Sequence, residues 1–217
     1  MKNIFLLMVV SLWLIGNNVV NAQTASNSTN VAKLNSMMKQ GYDFREINFK
    51  FNNSEVFALK NNDGKMGVIL RNGQWLVEPT NDYEARQRYG FLCLISQESD
   101  ETSFIYIDTK KGKIVCSVSY NDSNANEKKK EMTLALVNYM LNGKFQTLPN
   151  GCDYISTDQG NAAKDGFCMF KSENDEESVI DKVGKVIISG KRSILYMGNN
   201  VFFVQDKSMD CSLIEIK

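Results

Sequence analysis

The sequence predicts an all-β protein of antiparallel β-hairpin and meander repeats, arranged in three-stranded units and preceded by one short helix. From residue 46 onward, short runs rich in β-branched and aromatic residues alternate with Gly, Asn, Asp and Ser. This is the pattern of short strands and turns. Related glycine turns recur at intervals of roughly 30–40 residues, which is the spacing of a repeat array. A small propeller-like closure of the same units is the alternative arrangement.

The predicted strands are short, and each is bounded by residues that favour turns. They are 47–51, 56–60, 66–70, 75–77, 91–95, 104–108, 114–118, 133–141, 145–148, 167–170, 178–181, 186–189, 201–205 and 213–216. Residues 127–141 also carry the Lys, Glu and Leu of a helix. The run from Thr133 to Val137 favours a strand for the second half of that segment.

Four glycines are predicted to close hairpin turns, because such turns require a positive φ that glycine adopts readily. These structural turn glycines are Gly73, Gly112, Gly143 and Gly184. Each is followed by Gln or Lys and then by an apolar strand. The two prolines, Pro79 and Pro149, lie at the same distance after Gly73 and Gly143. A proline there can end a strand without removing a central ladder hydrogen bond.

The N-terminal part of the chain is predicted to be removed or irregular, apart from one helix. Lys2 precedes a short apolar run, 4–16, and a small residue, Ala22, follows. This order predicts a signal peptide over residues 1–22, cleaved between Ala22 and Gln23. The run is shorter than the roughly 20 residues that span a bilayer. Residues 23–45 are predicted as a polar linker and a helix near 31–40, and 46–217 as the repeat domain.

The predicted signal peptide places the mature chain in the periplasm, in the cell envelope or outside the cell. We expect no transmembrane segment after cleavage, because no later apolar stretch approaches membrane length. The chain has 25 basic and 25 acidic residues, and the predicted cleavage removes one lysine and no acid. A nearly neutral chain offers no general attraction to nucleic acid, so none is expected as a partner.

Composition excludes several kinds of catalytic and metal site. The chain contains no histidine, which removes Ser-His-Asp and Cys-His nucleophile pairs and the common His-based metal sites. The glycines lie in hairpin turns, so no phosphate-binding loop is predicted. We expect no cofactor, no metal site and no catalytic residue. The five cysteines, an odd number without C-x-x-C spacing, favour buried free thiols for Cys93 and Cys168.

Two weaker signals concern binding and hydrolysis. Four aromatic residues are candidates for a binding surface: Trp75, Tyr83, Tyr106 and Tyr154. A glycan hydrolase would need two carboxylates across a cleft. The candidates are Asp100, Glu101, Asp175, Glu176 and Glu177. We favour solvated turns for these acids, because acidic residues are common in turns.

Residues 64–79 read GKMGVILRNGQWLVEP and resemble the WG repeat, also called the KWG repeat, of bacterial proteins. The family pattern is Gly-Lys-Trp-Gly, two aliphatic residues and Asp, a Gly turn, an apolar strand, then Pro and Tyr-Asp. Met66 stands at the signature Trp, and Asp82 and Tyr83 are in reversed order. Partial copies lie near 105–115, 142–154 and 179–188. The resemblance spans 56–217 and implies β-hairpin repeats with a binding role and no catalytic residues.

The sequence therefore predicts a non-catalytic, exported binding or scaffolding module with an unknown protein or glycan partner. Two alternatives remain open: a carboxylate-dependent glycan hydrolase, and a structural protein of the envelope that associates with its own copies. The position of the acidic residues separates the first alternative from the module. Exposed strand edges that pair between copies are what the second alternative requires.

Overall fold

The structure is a computed structural model, and it describes residues 29–44, 54–98, 100–148, 154–155, 161–172 and 174–217. The predicted signal peptide, its cleavage point and the predicted strand 47–51 lie outside the described residues. Pro149 and Cys152 lie outside them as well. Neither helix in the described part of the chain is long and apolar enough to cross a membrane.

The described residues form two helices and fourteen strands. The helices are α1 (Val31–Lys39) and α2 (Ala125–Leu141). The strands before α2 are β1 (Val56–Lys60), β2 (Met66–Leu70), β3 (Trp75–Val77), β4 (Glu84–Arg88), β5 (Phe91–Glu98), β6 (Glu101–Asp108) and β7 (Lys113–Tyr120). Those after it are β8 (Tyr154–Ile155), β9 (Phe167–Lys171), β10 (Glu177–Asp181), β11 (Val186–Lys191), β12 (Ser193–Gly198), β13 (Val201–Gln205) and β14 (Cys211–Glu215).

The strands form four small antiparallel sheets, each a meander of consecutive strands. Sheet A contains β1–β3, sheet B β4–β7, sheet C β8–β11 and sheet D β12–β14. The predicted all-β class, the meander repeats and the N-terminal helix are confirmed. Sheets A and D have three strands, the number predicted for a unit, whereas sheets B and C have a fourth strand, β4 and β8, at one edge. The sequence of β4, EARQR, lacks apolar alternation, as polar edge strands often do.

The sheets stack in chain order, and buried side chains fill the space between successive layers. The core between α1 and sheet A contains Leu34, Met37, Leu59 and Ile69. That between sheets A and B contains Val56, Ala58, Met66, Val68, Leu92, Leu94 and Ile107. The core shared by sheet B, α2 and sheet C includes Cys93, Tyr106, Leu136, Val137, Cys168 and Ile180. That between sheets C and D includes Phe167, Met169, Phe202 and Val204.

The inner sheets are apolar on both faces because a layer covers each face. Along β5, Phe91 and Cys93 point to α2 and sheet C, while Leu92 and Leu94 point to sheet A. Successive side chains of a strand point to opposite faces. A strand between two layers is therefore a continuous apolar run, and the pattern FLCL follows directly from its position.

The predicted strand 133–141 is wrong, because this segment belongs to the helix α2. The buried positions Thr133, Leu136, Val137 and Leu141 recur at helical spacing. Other apolar residues of the segment are only half-buried on its remaining faces, so the helical period is hard to read in the sequence. The Thr133 hydroxyl donates to the carbonyl of Lys129, at 2.8 Å, which is a common arrangement within a helix.

The prediction of a hairpin at Gly143, followed by a strand over 145–148, is also wrong. Gly143 follows α2, whose C-cap residue Asn142 has a left-handed φ of 53°. The Asn138 side chain then bonds to both backbone groups of Phe145: its Oδ1 accepts from the amide at 2.7 Å, and its Nδ2 donates to the carbonyl at 3.0 Å. One side chain thus satisfies the groups that a strand partner would take.

Gly73, Gly112 and Gly184 lie in the turns between β2 and β3, β6 and β7, and β10 and β11, with φ of 85°, 60° and 84°. The turns at Gly112 and Gly184 also press against an apolar side chain from an earlier part of the chain. A Cβ on Gly112 would lie 2.8 Å from Cδ2 of Leu70, and one on Gly184 would lie 2.7 Å from the Phe145 ring. At these turns glycine is needed both for its φ and for its lack of a side chain.

Candidate functional site

Three of the four aromatic residues chosen from the sequence belong to different cores and do not form one surface. Trp75 packs against Tyr42, with ring centroids 6.0 Å apart, beside the core of α1 and sheet A. Tyr83 is half-buried beside the core of sheets A and B. Tyr106 is fully buried in the core of sheet B, α2 and sheet C. Tyr154 lies in β8, where its backbone pairs with Lys171. Trp75, Tyr83 and Tyr106 therefore serve mainly in packing.

The candidate carboxylates fall into two groups on different sheets. Asp100 and Glu101, at the β5–β6 turn, line a surface cavity of about 590 Å³ together with Asp122. These three side chains are exposed. A general acid needs an environment that disfavours its charged form, and exposure to water does not provide one. Among the described residues, no three His, Cys, Asp or Glu side chains are grouped closely enough to hold a metal ion.

The second group of acids makes structural contacts near sheets C and D. Asp175 forms an ion pair of 2.8 Å with Lys171, and Glu176 pairs with Lys207. Glu177 Oε2 accepts a hydrogen bond of 2.6 Å from the backbone amide of Ile194. The contacts of Glu176 and Glu177 join sheet C to sheet D, so these acids have a structural role.

The described cysteines are free thiols, and Cys93 and Cys168 are buried as predicted. Burial raises the pKa of Cys93 to about 11 and that of Cys168 to about 12. Burial likewise raises the pKa of Cys116 to about 11. Cys211, in the last strand, is exposed. Because the thiolate is the reacting form, the buried thiols are protected by both their pKa and their position.

At pH 8 and a micromolar protein concentration, we expect iodoacetamide to alkylate Cys211 and to leave Cys93 and Cys168 unmodified. A thiol with a pKa near 11 is a thiolate only about one part in a thousand at that pH. Mass spectrometry of tryptic peptides over a time course measures each site, with urea-unfolded protein as the reference for full reaction. Modification of Cys168 in the folded protein as fast as that of Cys211 would contradict the buried environment.

An apolar face that no described residue covers lies at the sheet D end of the stack. Side chains of sheet D alternate between the core with sheet C and the outside. Ile194, Tyr196, Phe202 and Val204 point inward. The outward residues Leu195, Met197, Phe203 and Leu213 are exposed by 45%, 59%, 39% and 67%. We call these four residues the open face of sheet D.

Strand register places three of these residues in one row. Leu195 pairs with Phe203 in β12 and β13, and Phe203 pairs with Leu213 in β13 and β14. Directly paired residues share a face of the sheet, so Phe203 lies at the centre of a continuous apolar strip. Cys211 lies beside the strip, and its Sγ accepts from Gln205 Nε2 at 3.7 Å.

The opposite end of the stack is covered by a helix with a mainly polar outer side. Leu34 and Met37 of α1 pack on sheet A. The exposed residues of the helix include Lys33, Asn35, Ser36 and Lys39, together with the apolar Val31 and Met38. The side chain of Asn30 caps the helix by accepting from the Lys33 amide at 3.1 Å. Repeat arrays need polar capping units at their ends to remain soluble. Within the described ranges, the array is capped in this way at α1 but not at sheet D.

Sequence reasoning missed the open face because it did not identify β12. The run Ile194–Met197 is apolar at every position, so the sequence does not show which side chains point outward. The sequence does carry one sign of the open face: the strands of sheet D have apolar residues at both alternating sets of positions. Sheet C covers only one of these sets, so the other set is exposed.

The comparisons with known proteins give no family assignment. No protein-family model matches the chain, and no curated protein matches it in sequence. The resemblance to WG repeats stays a prediction.

Proposed function

We propose that this chain is a non-catalytic, exported binding or scaffolding module that takes its partner on the open face of sheet D. The observation that carries the proposal is the exposed row of Leu195, Phe203 and Leu213. Most exposed apolar residues of a soluble protein are scattered singly, and a contiguous group marks an interaction site. The WG-like repeat pattern supports a binding role of the same kind.

The composition of the open face suits a protein interface. Interface centres are enriched in aromatic residues and Met and depleted in charge. Phe203 lies centrally, with Leu195 and Leu213 on either side and Met197 nearby, and none of these four carries a charge. Binding energy usually concentrates in a central aromatic anchor surrounded by contacts that exclude water. Phe203 is placed to be that anchor.

The arrangement of the acids favours the module over a glycan hydrolase. Asp100 and Glu101 lie at an exposed turn of sheet B, whereas Glu176 and Glu177 make contacts with the region of sheet D. A glycosidase needs two carboxylates about 5–10 Å apart across a sugar-binding cleft, one of them with a raised pKa. The acids of the β5–β6 turn are exposed, and they do not face the second group of candidate carboxylates across such a cleft.

A cross-linked pull-down from source-cell envelopes tests the proposal, with the mature chain as bait and mass spectrometry as readout. We expect the double variant Phe203→Lys/Leu213→Lys to recover its main partner at least tenfold less than the unmodified bait, because two buried lysines would oppose binding. Val183→Lys is the matched control, since Val183 is 72% exposed in the turn between β10 and β11. Circular dichroism checks that each variant is folded.

Equal recovery of a partner by the double variant would show that binding uses another surface. Recovery of glycan in place of protein would shift the proposal to carbohydrate binding. In that case the cavity near Asp100, Glu101 and Asp122 becomes the surface to mutate.

A further inference from the structure

We propose that the partner on the open face is a second copy of this chain, with two sheets D packed face to face about a two-fold axis. This inference rests on the proposed function, because it uses the same face. It adds the identity of the partner, and it follows from three features of the stack: how its internal faces are covered, where charge lies, and how its two ends differ.

The chain itself shows what covers a face of this composition. The face of sheet C that receives sheet D is formed by Phe167, Met169, Val179 and Ile188. The open face has the same make-up: one Phe, one Met and two aliphatic residues. Sheets of this chain thus bury such faces against another small antiparallel sheet, as face-to-face sheet packing requires. The open face continues this series, and sheet D of a second copy offers a matching surface.

The open face is compatible with pairing against itself. A two-fold interface brings one patch against an identical patch, so like charges near its centre would repel. The central row is uncharged, and the nearest acid in register, Glu215, lies at the strand end opposite Val201. A two-fold axis through Phe203, along or across the strands, brings Glu215 against a different corner of the partner's sheet. The two copies of Glu215 are therefore kept apart.

The size of the face sets the expected strength. The strands of sheet D have five or six residues. With a rise of about 3.3 Å per residue and a spacing of about 4.8 Å between strands, the face is roughly 20 Å long and roughly 10 Å wide. A standard stable interface buries about 800 Å² on each partner. Sheet D offers less than this. The dimer is therefore a weak one that forms in the micromolar range or above.

The two ends of the stack differ, which favours a closed dimer over a chain of copies. Head-to-tail growth would place the open face on the outer side of α1, where Lys33 and Lys39 are exposed. Burying lysines against an apolar strip is unfavourable. Pairing of two open faces leaves both α1 ends pointing outward, so assembly stops at two copies.

Sedimentation velocity of the purified exported chain, from about 1 to 500 µM with a reductant present, tests the inference. We expect the mean mass to rise from that of a monomer toward that of a dimer. Phe203→Lys and, separately, Leu213→Lys should weaken dimerisation at least tenfold, while Val183→Lys should not change it. The Leu213 variant keeps the test valid if the Phe203 variant misfolds, because Leu213 is 67% exposed and its substitution disturbs the fold less. Cys211→Ser should still dimerise, which shows that no disulfide is needed.

A second readout is the alkylation rate of Cys211, which should fall over the same concentration range as the face becomes covered. A strict monomer at 500 µM would overturn the inference. So would a dimer that both lysine variants leave intact, or growth beyond two copies. If the chain stays monomeric but its open face captures another protein, the second copy is wrong and the proposed function stands. If the lysine variants at Phe203 and Leu213 also leave the capture of that protein unchanged, both the second copy and the proposed function are wrong. If the face binds only phosphatidylcholine vesicles, both are wrong as well.

Discussion

Replacing Leu136 with alanine is expected to lower the free energy of unfolding by about 3–5 kcal/mol. Leu136 is fully buried in α2 and belongs to the core that joins this helix to sheets B and C. Its removal leaves a cavity in the layer that connects the N-terminal and C-terminal pairs of sheets. Urea unfolding followed by circular dichroism measures the effect.

Leu134→Ala is the matched control, because it makes the same chemical change in the same helix at a half-buried position. The change in intrinsic helix propensity is the same for both variants. We expect the control to lose roughly 1–2 kcal/mol, in proportion to the smaller apolar area it removes. Equal losses for the two variants would show that α2 does not pack on sheets B and C through Leu136.

Replacing Gly67 with alanine is expected to lower the free energy of unfolding by roughly 2–3 kcal/mol. Gly67 lies in β2, and a Cβ at this position would be 2.9 Å from the carbonyl oxygen of Val77 and 2.9 Å from the nitrogen of Pro79. Both atoms belong to the backbone, so the strand β3 or the segment after it must move. Thermal and urea unfolding measure the loss.

Gly198→Ala separates this steric effect from backbone strain. Gly198 has a φ of 89°, and a Cβ added there would meet no atom of the described residues within 4 Å. Alanine there costs only the left-handed conformation, about 1–2 kcal/mol. A Gly67→Ala variant as stable as the unmodified chain would mean that β2 and Pro79 are not in close contact.

The sequence was sufficient to predict the strands whose side chains alternate or are apolar throughout. β1, β2, β3 and β13 have the predicted bounds, because each is a short apolar run between turn residues. α2 was missed because its apolar residues lie on several faces, so the helical period was masked. β4 was missed for the opposite reason: its residues are polar, and the ladder to β5 rather than its composition makes it a strand.

The candidate site was harder to predict than the fold. Tyr106 and Phe203 are both aromatic residues in strands, yet Tyr106 is buried and Phe203 is 39% exposed. Residue type does not distinguish them. The difference depends on whether another layer covers the strand, and this depends on the order in which sheets stack. The local sequence correctly predicted buried thiols at Cys93 and Cys168, because their neighbours in the sequence are themselves core residues.

The consecutive order of the strands has a consequence for how the chain acquires its structure. In the described part of the chain no sheet borrows a strand from another, so hydrogen-bonded partners within each sheet are close along the chain. Such a topology has low contact order, and short loops close at little entropic cost. Each meander can then form soon after its own residues are available and dock on the layer before it. Folding can proceed from the N-terminal layers without waiting for the last strand.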